Sequence, residues 1–328
     1  MEFGRPVLEA FSAQLLALDR LGIAVSPSRL MSEGLAGLRS LVPFDACWWG
    51  ECSGGIDGLA PRNWLSGCIG LSADFAREWN RIAASDGFAR ESMDRLDTVV
   101  CRSGCVDPVP AVEAFARRHD LYHVMAITRA LPGSGLMHFI SLYRRKASRP
   151  FEPLHHSLLE QFSAHLMQRW SARIATMVGA GGPSAGDSHA LLDRNGEFVY
   201  LGARLAHLLH ERVPLWEGTQ LPPDLREALR QVPGVCRLGN RRLVIQACGE
   251  LQLISLAPRR HATLLPPRQM SVALLYADGR SYKEIARETG LSPASVRTYL
   301  REIYVRLGVS DKVALSRALG VRPARNQG

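Results

Sequence analysis

Three side chains near the C-terminus, Arg297, Thr298 and Arg301, are spaced for chemistry on a polyanion. On a helix they share one face, the two arginines four residues apart, while Val296, Leu300, Ile303 and Leu307 recur on the opposite face. A short helix that is apolar on one side and basic on the other needs a second element to cover its apolar side. The preceding residues supply one. Ser281 followed by Glu284 is a capping-box arrangement, and Ile285, Ala286 and Thr289 then fall on one side of a helix that stops at Gly290. Leu291-Ser292-Pro293 gives an apolar turn residue, an N-cap hydroxyl and a Pro at the first helical position. Two short helices joined by a tight turn, the second with a basic outer face, form a helix-turn-helix.

The distribution of charge points the same way. The chain has 328 residues and a formal charge of +9, with 40 Lys plus Arg against 31 Asp plus Glu. From Arg259 onward there are 13 basic and 5 acidic residues, so +8 of the +9 lies in that segment. The rest is nearly neutral, which argues that any signal it takes is not a second polyanion.

Several classes are excluded. No run of about 18 apolar residues occurs, and MEFGRPVLEAF lacks the basic-then-apolar layout of a signal peptide, so a cytoplasmic protein without a membrane partner is expected. The 7 cysteines are odd in number and scattered without a C-x-x-C, which suggests reduced thiols. The histidine pairs His119/His123, His155/His156 and His207/His210 do not reach the three or four converging ligands of a metal site. Gly182-Pro183-Ser184-Ala185-Gly186 matches a nucleophile elbow but sits in a linker, not between a strand and a helix. With no Walker loop and no Rossmann fingerprint, neither an enzyme nor a cofactor is expected.

The clearest boundary is GAGGPSAGDS, residues 179–188, a flexible linker with no large apolar side chain to bury. Before it, Leu154, Leu158, Phe162, Leu166, Trp170 and Ile174 recur at steps of four, widened by Leu159 and Met167, so residues 151–178 read as one long amphipathic helix. It either packs on its own domain or pairs with a copy of itself. Residues 1–178 otherwise mix helices (about 6–21, 27–41, 72–84 and 109–119) with strands at Ala46–Cys52, Gly67–Gly70, Thr98–Cys101, Tyr122–Thr128 and Leu136–Arg144. This predicts an α+β module, an antiparallel sheet with helices on one side. Residues 189–260 form a smaller α/β unit: a hairpin at HALLDRNGEFVYL, helices near Ala203–His210 and Pro223–Gln231, and two alternating runs in RLGNRRLVIQACGELQLISLAP. Residues 261–328 hold the helix-turn-helix.

The stretch LLPPRQMSVALLYADGRSYKEIARETGLSPASVRTYLREIYVRLGVSDKVAL is similar to the DNA-binding domain of LuxR/NarL-type transcription regulators, most of all in GRSYKEIA, GLSPASVRTYL and YVRLGV. The resemblance implies an all-α module of four helices, about 267–277, 282–289, 293–307 and 311–319, the third entering the major groove and the fourth aiding dimerisation on DNA. Carried over by position, Arg297, Thr298 and Arg301 align with base-reading residues; Arg can donate two bonds to guanine, and the Thr methyl can touch a thymine methyl. Lys283, Ser292, Ser295, Tyr299 and Arg306 suit phosphate contacts. The first helix departs from the family: Pro266, Gln269 and Ser271 replace its cap and acidic residues, an expected cost of about 1 kcal/mol.

SLVPFDACWWG, WNRIAASDG and RPFEPLHHSLLEQF resemble LuxR-type regulators with a GAF-like N-terminal domain, in which LLDRNGEFVYLGARLAHLLHERVPLWEGTQLPPDL would be a PAS-like segment. The acidic pocket of a phosphorylated receiver is not found. Trp79 and Asp86 loosely echo the acyl-homoserine lactone pattern, but Gly87 stands in place of Pro and the tyrosine spacing is missing, so that ligand is not supported. Candidate ligand-binding residues are Trp48, Trp49, Trp79, Asp86 and His138, with core packing or a structural hydrogen bond as their other reading. Trp48 and Trp49 are adjacent on a strand and must point to opposite faces, so only one is expected to line an interior pocket. The reading that follows is a DNA-binding regulator with double-stranded DNA as partner, a homodimer, a small-molecule effector, and RNA polymerase as partner of an activator. An interaction protein that heterodimerises with related regulators, and a sensor-domain enzyme with a DNA-binding tail, are the alternatives.

Overall fold

The computed structural model describes residues 4–54, 60–178, 186–213, 216, 220–230, 232–257 and 265–319. The chain divides into two compact units, Met1–Leu256 and Ala257–Gly328.

The first unit begins with helices α1 (Arg5–Ala24) and α2 (Pro27–Leu38) and continues through β1 (Ala46–Ser53), β2 (Arg62–Ile69), α3 (Phe75–Ile82), α4 (Gly87–Asp94), β3 (Val100–Ser103), α5 (Pro110–Arg118), β4 (His123–Ala130), β5 (Met137–Arg144) and α6 (Pro153–Val178). The strands form an antiparallel sheet in the order β2-β1-β5-β4-β3. Alternation along β1 divides its side chains between two cores. Cys47 and Trp49 pack with α1, α2 and α6 through Leu30, Leu35, Phe162 and Leu166. Ala46, Trp48 and Cys52 pack with α3, α4 and α5 through Phe75, Trp79, Met93 and Phe115. Helices therefore cover both faces of the sheet, where one face was expected. The reason is visible in the burial: β1 and β5 are nearly continuous runs of buried residues, and a strand that is apolar on both sides needs a cover on both.

Two local differences have similar causes. α4 was not expected, because GFARESMD carries a narrow apolar stripe among polar residues. β2 starts at Arg62 and not near Gly67: it opens on Arg62 and Asn63, and Asn is depleted in strands, so the pattern is hidden at its start. Gly67 is needed there: a Cβ at this position would collide with the Trp49 indole. The stripe expected on α6 is buried at Leu158, Leu159, Phe162, Leu166, Met167, Trp170 and Ile174, all in the core of this unit.

A second sheet follows, built from β6 (His189–Leu192), β7 (Phe198–Leu201), β8 (Gly234–Leu238), β9 (Arg241–Cys248) and β10 (Leu251–Leu256), with helices α7 (Ala203–Arg212) and α8 (Pro223–Arg226) between β7 and β8. Its order, β7-β6-β10-β9-β8, repeats that of the first sheet position by position. Three strands, not two, follow α8; β8 is a short alternating run closed by Gly239 at φ 58°. The sheets share their cores. Leu191 and Tyr200 belong to the cluster around α6, while Trp64 and Leu65 of the first sheet, with Leu136 just before β5, belong to the cluster around α7. Ala203 N donates to Ser134 O at 2.8 Å across the junction. Residues 179–185 of the expected linker, with most of the nucleophile-elbow match, lie outside the described residues. Its last three, Gly186–Ser188, form a 3-10 turn that Tyr200 holds by donating to Gly186 O at 2.9 Å.

The second unit holds α9 (Pro267–Ala277), α10 (Tyr282–Thr289), α11 (Pro293–Leu307) and α12 (Lys312–Leu319) around Val272, Ala273, Ile285, Val296, Leu300, Ile303 and Leu315.

Candidate functional site

In the second unit, α10 begins with a closed capping box: Ser281 N donates to Glu284 Oε2 at 2.7 Å and Glu284 N to Ser281 Oγ at 3.4 Å. Gly290 ends the helix at φ 67°, a left-handed value suited to glycine. The Ser292 hydroxyl then accepts from Ser295 N at 3.0 Å to start α11, and Gly308 at φ 62° closes it. Val296, Leu300, Ile303 and Leu307 are buried, so Arg297, Thr298 and Arg301 stand exposed on the outer face of α11.

The residues expected at phosphates divide by environment. Lys283 and Arg306 are exposed, Tyr299 is half-buried against the core, and the Ser292 and Ser295 hydroxyls bond each other at 2.8 Å. Arg306 also donates to Gln269 Oε1 at 3.4 Å, and Gln269 Nε2 donates to Glu302 Oε2 at 2.6 Å. Gln269, read from sequence as a loss of favourable charge, is thus a buried tie between α9 and α11. The missing cap is real: Pro266 makes no side-chain cap and the first turn of α9 has no acidic residue. Sequence reasoning missed an aromatic support. The rings of Tyr276 and Tyr282 stack with centroids 5.6 Å apart, and the Arg297 guanidinium lies 5.6 Å from the Tyr282 centroid.

In the first unit, the face of the sheet towards α3–α5 holds a cavity of about 110 Å³ lined by Trp48, Trp79, Asp86, Phe88, Phe139 and Tyr143 among others. Trp48 meets Phe75, Trp79 and Phe139 edge to face at 5.1, 5.1 and 4.5 Å. Asp86 is committed twice: Oδ1 accepts from Ala89 N at 3.0 Å, capping α4, and Oδ2 accepts from Trp79 Nε1 at 2.8 Å. Ser92 and Thr128 pair at 2.8 Å and Arg102 bridges Asp107 at 3.2 Å. The Trp48 Nε1–H, by contrast, is buried without an acceptor. The cavity can therefore offer a hydrogen bond to a ligand oxygen inside an aromatic shell.

The other candidate residues lie across the sheet. Trp49 and His138 line a second cavity of about 360 Å³ on the face towards α2 and α6, together with Glu51 and Trp170. Both tryptophans thus line cavities, where only one was expected to. The structure brings Trp48, Trp79 and Asp86 together and separates them from Trp49 and His138. His138 is 3% exposed, its ring nitrogens have no partners, and burial pushes its pKa down to about 3. Sequence reasoning missed Glu51, although its spacing from Trp49 on one strand places both on the same face.

Residues 258–307 match the family described as Sigma-70, region 4, a helix-turn-helix module. A search of curated protein sequences gives no match. Among solved structures, the chain is similar to CepR2 from Burkholderia cenocepacia, described as an N-acylhomoserine lactone dependent LuxR family transcription factor, at 14% identity and TM-score 0.37 over 52% of this chain and 98% of that one. It is similar to Escherichia coli SdiA at 11% identity and TM-score 0.36 over 95% and 98% of the two chains. The likeness to bacteriophytochrome RpBphP3 from R. palustris has 11% identity and TM-score 0.39 over 78% and 63%. At these scores none carries an inference about ligand or partner.

Proposed function

We propose that this chain is a sequence-specific DNA-binding transcription regulator, dimeric on DNA, whose N-terminal unit takes a small-molecule effector. The observation that carries the reading is the outer face of α11, where Arg297, Thr298 and Arg301 are exposed above a fully buried apolar face. One such helix reads only a few base pairs, so a dimer on a two-fold site is the arrangement that yields useful specificity. The match to a helix-turn-helix family over 258–307 supports the same reading. In this scheme Arg297, Thr298 and Arg301 read bases, while Lys283, Arg306, Tyr299 and the Ser292–Ser295 turn face phosphates. RNA polymerase is the further partner if the regulator activates.

For the sensor, the two five-stranded sheets support a GAF-like region up to 178 and a PAS-like segment over 189–260, preceding a LuxR-type module over 261–328. The effector cavity is the one beside Trp48, Trp79 and Asp86; its volume of about 110 Å³ suits only a very small ligand, and the unpaired Trp48 Nε1–H fits a neutral one with a carbonyl or hydroxyl oxygen. Among the described residues no helix is long and apolar enough to cross a membrane, and action in the cytoplasm on DNA is the setting proposed.

The test of the DNA reading is a gel shift with promoter fragments at two salt concentrations. Arg297→Ala should relax preference at one base pair by about 1–3 kcal/mol, while Arg306→Ala should weaken all sequences similarly. Equal losses on specific and random DNA from both changes would refute these roles. Thermal-shift screening of the full chain against oxygen-bearing metabolites tests the effector cavity, with Trp48→Phe expected to abolish any stabilisation.

A further inference from the structure

The second cavity lies outside that reading. Its floor is the β1–β5 ladder, in which Glu51 and His138 are direct partners. Its wall includes Trp49 and Trp170, and Glu197 and Phe198 contribute from the second sheet. Among the described lining residues there are two carboxyl groups and no Lys or Arg. The volume, about 360 Å³, falls within the range of small-molecule sites, about 300–1,000 Å³.

Two of the lining side chains are polar, buried and unsatisfied. Glu51 is 4% exposed; the Leu201 backbone N–H donates to its carboxyl, but Oε2 has no partner. His138 is unpaired at both ring nitrogens, and its ring lies roughly parallel to that of Trp170, 26° apart in plane, with centroids at 6.5 Å. Buried polar atoms without partners are rare in folded proteins because each forfeits its hydration without compensation. Three on one cavity wall, from two side chains on adjacent strands, form a site waiting for a hydrogen-bonding ligand. The site is also rigidly built. The ladder with β2 shifts register between Glu51 and Cys52, a bulge that aims the Glu51 side chain, and Gly67 leaves the space in which the Trp49 indole lies.

We propose that this cavity is a binding site for a small organic ammonium ion, whose N–H donates to Glu51 Oε2 in a pocket lined by Trp49 and Trp170, with His138 taking a second polar group of the ligand. An anion would find no Lys or Arg among the described lining residues to compensate its charge, and would meet the exposed Glu197 carboxyl at the rim. A cation meets a carboxyl acceptor in a buried setting lined by two tryptophan indoles, residue types that together recognise ammonium groups. Burial raises the Glu51 pKa to about 8, so the empty site is mostly neutral at pH 7. Entry of the cation would ionise Glu51, and the proton would leave to buffer.

The test is isothermal titration calorimetry on the full chain with benzylammonium and cyclohexylammonium, beside the uncharged benzyl alcohol and cyclohexanol. At least one cation should bind about tenfold or more tightly than its alcohol, and Glu51→Gln should weaken that binding by a similar factor. A readout that needs no variant comes from repeating the titration at pH 7 in buffers of different ionisation enthalpy. Close to one proton should be released per bound cation. The proposal is overturned by no saturable binding of either cation up to about 10 mM, by equal binding of the alcohols, or by binding with no proton released. Thermal stabilisation of the Trp48→Phe chain by the same cations separates this site from the cavity on the opposite face, which that substitution alters.

Discussion

The two faces of the first sheet use the same kind of wall and leave opposite kinds of group unpaired. Towards α3–α5, Trp48 and Trp79 enclose a cavity in which Asp86, Ser92, Thr128, Arg102 and Asp107 all have partners, and the remaining free polar atom named there is the neutral donor Trp48 Nε1. Towards α2 and α6, Trp49 and Trp170 enclose a cavity whose free atoms belong to titratable side chains, Glu51 and His138. A neutral donor in an aromatic shell costs little and discriminates by hydrogen-bond geometry. A buried carboxyl and imidazole couple occupancy to charge. Strand alternation alone produced the split, because successive residues of β1 serve different faces.

The comparison can be broken most severely on the aromatic side. Trp48→Ala removes a side chain in edge-to-face contact with three rings and should destabilise the chain by about 3–5 kcal/mol in urea denaturation. A loss below about 1 kcal/mol would mean that the cavity tolerates collapse.

The opposite face should show itself in pH dependence. The Glu51 pKa rises in the fold from 4.5 to about 8, so the native state holds a proton that the unfolded state has lost, and stability falls as pH rises through that window. The His138 pKa drops from 6.5 to about 3, so the unfolded state holds the extra proton and stability falls as pH decreases through its window. Between pH 4.5 and 6.5 the two slopes oppose each other, leaving a plateau from this pair. From pH 6.5 to 8 Glu51 acts alone and should cost about 2 kcal/mol, a loss that Glu51→Gln removes. Below pH 4.5, His138→Leu should remove the acid-side loss in the same way. Denaturation midpoints of wild type and variants across this range measure both effects. Identical pH profiles would show that neither group is held in its neutral form.

The smallest effect is expected at the paired polar groups. Ser92→Ala leaves Thr128 Oγ1 without its partner and should cost about 1–2 kcal/mol, whereas adding Thr128→Val should recover part of that loss. Additive losses in the double variant, read from the same denaturation curves, would deny the coupling.

Legibility followed the range of the interactions. In the helix-turn-helix, Ser281, Glu284, Gly290, Ser292 and Pro293 form caps within a few residues of one another, and each acts where local sequence places it. The strands Ala46–Ser53, His123–Ala130 and Met137–Arg144 were visible in their apolar runs for the same reason. The cover on the second face of the sheet was not: helices at about 72–84 and 109–119 were read from sequence, but which face they cover is set by Phe75, Trp79 and Phe115 meeting Trp48 and Phe139 on strands distant in sequence. Gln269 reads as a defect in a local cap and acts as a tie to Glu302, a partner 33 residues away.

The candidate ligand residues show the same division. Alternation was enough to state that Trp48 and Trp49 part company; the two-residue spacing that places Glu51 with Trp49 was present in the sequence, but Glu51 was missed. Local sequence determined the helices, their caps, the exposed arginines of α11 and the parity of each strand residue, because these depend on backbone geometry over a few residues. Tertiary structure alone decided that Asp86 is spent on Trp79 and Ala89, that both tryptophans line cavities, and that Glu51 and His138 meet unpaired. Whether a polar group finds a partner depends on strands and helices distant in sequence being packed to ångström precision, and no local pattern carries that information.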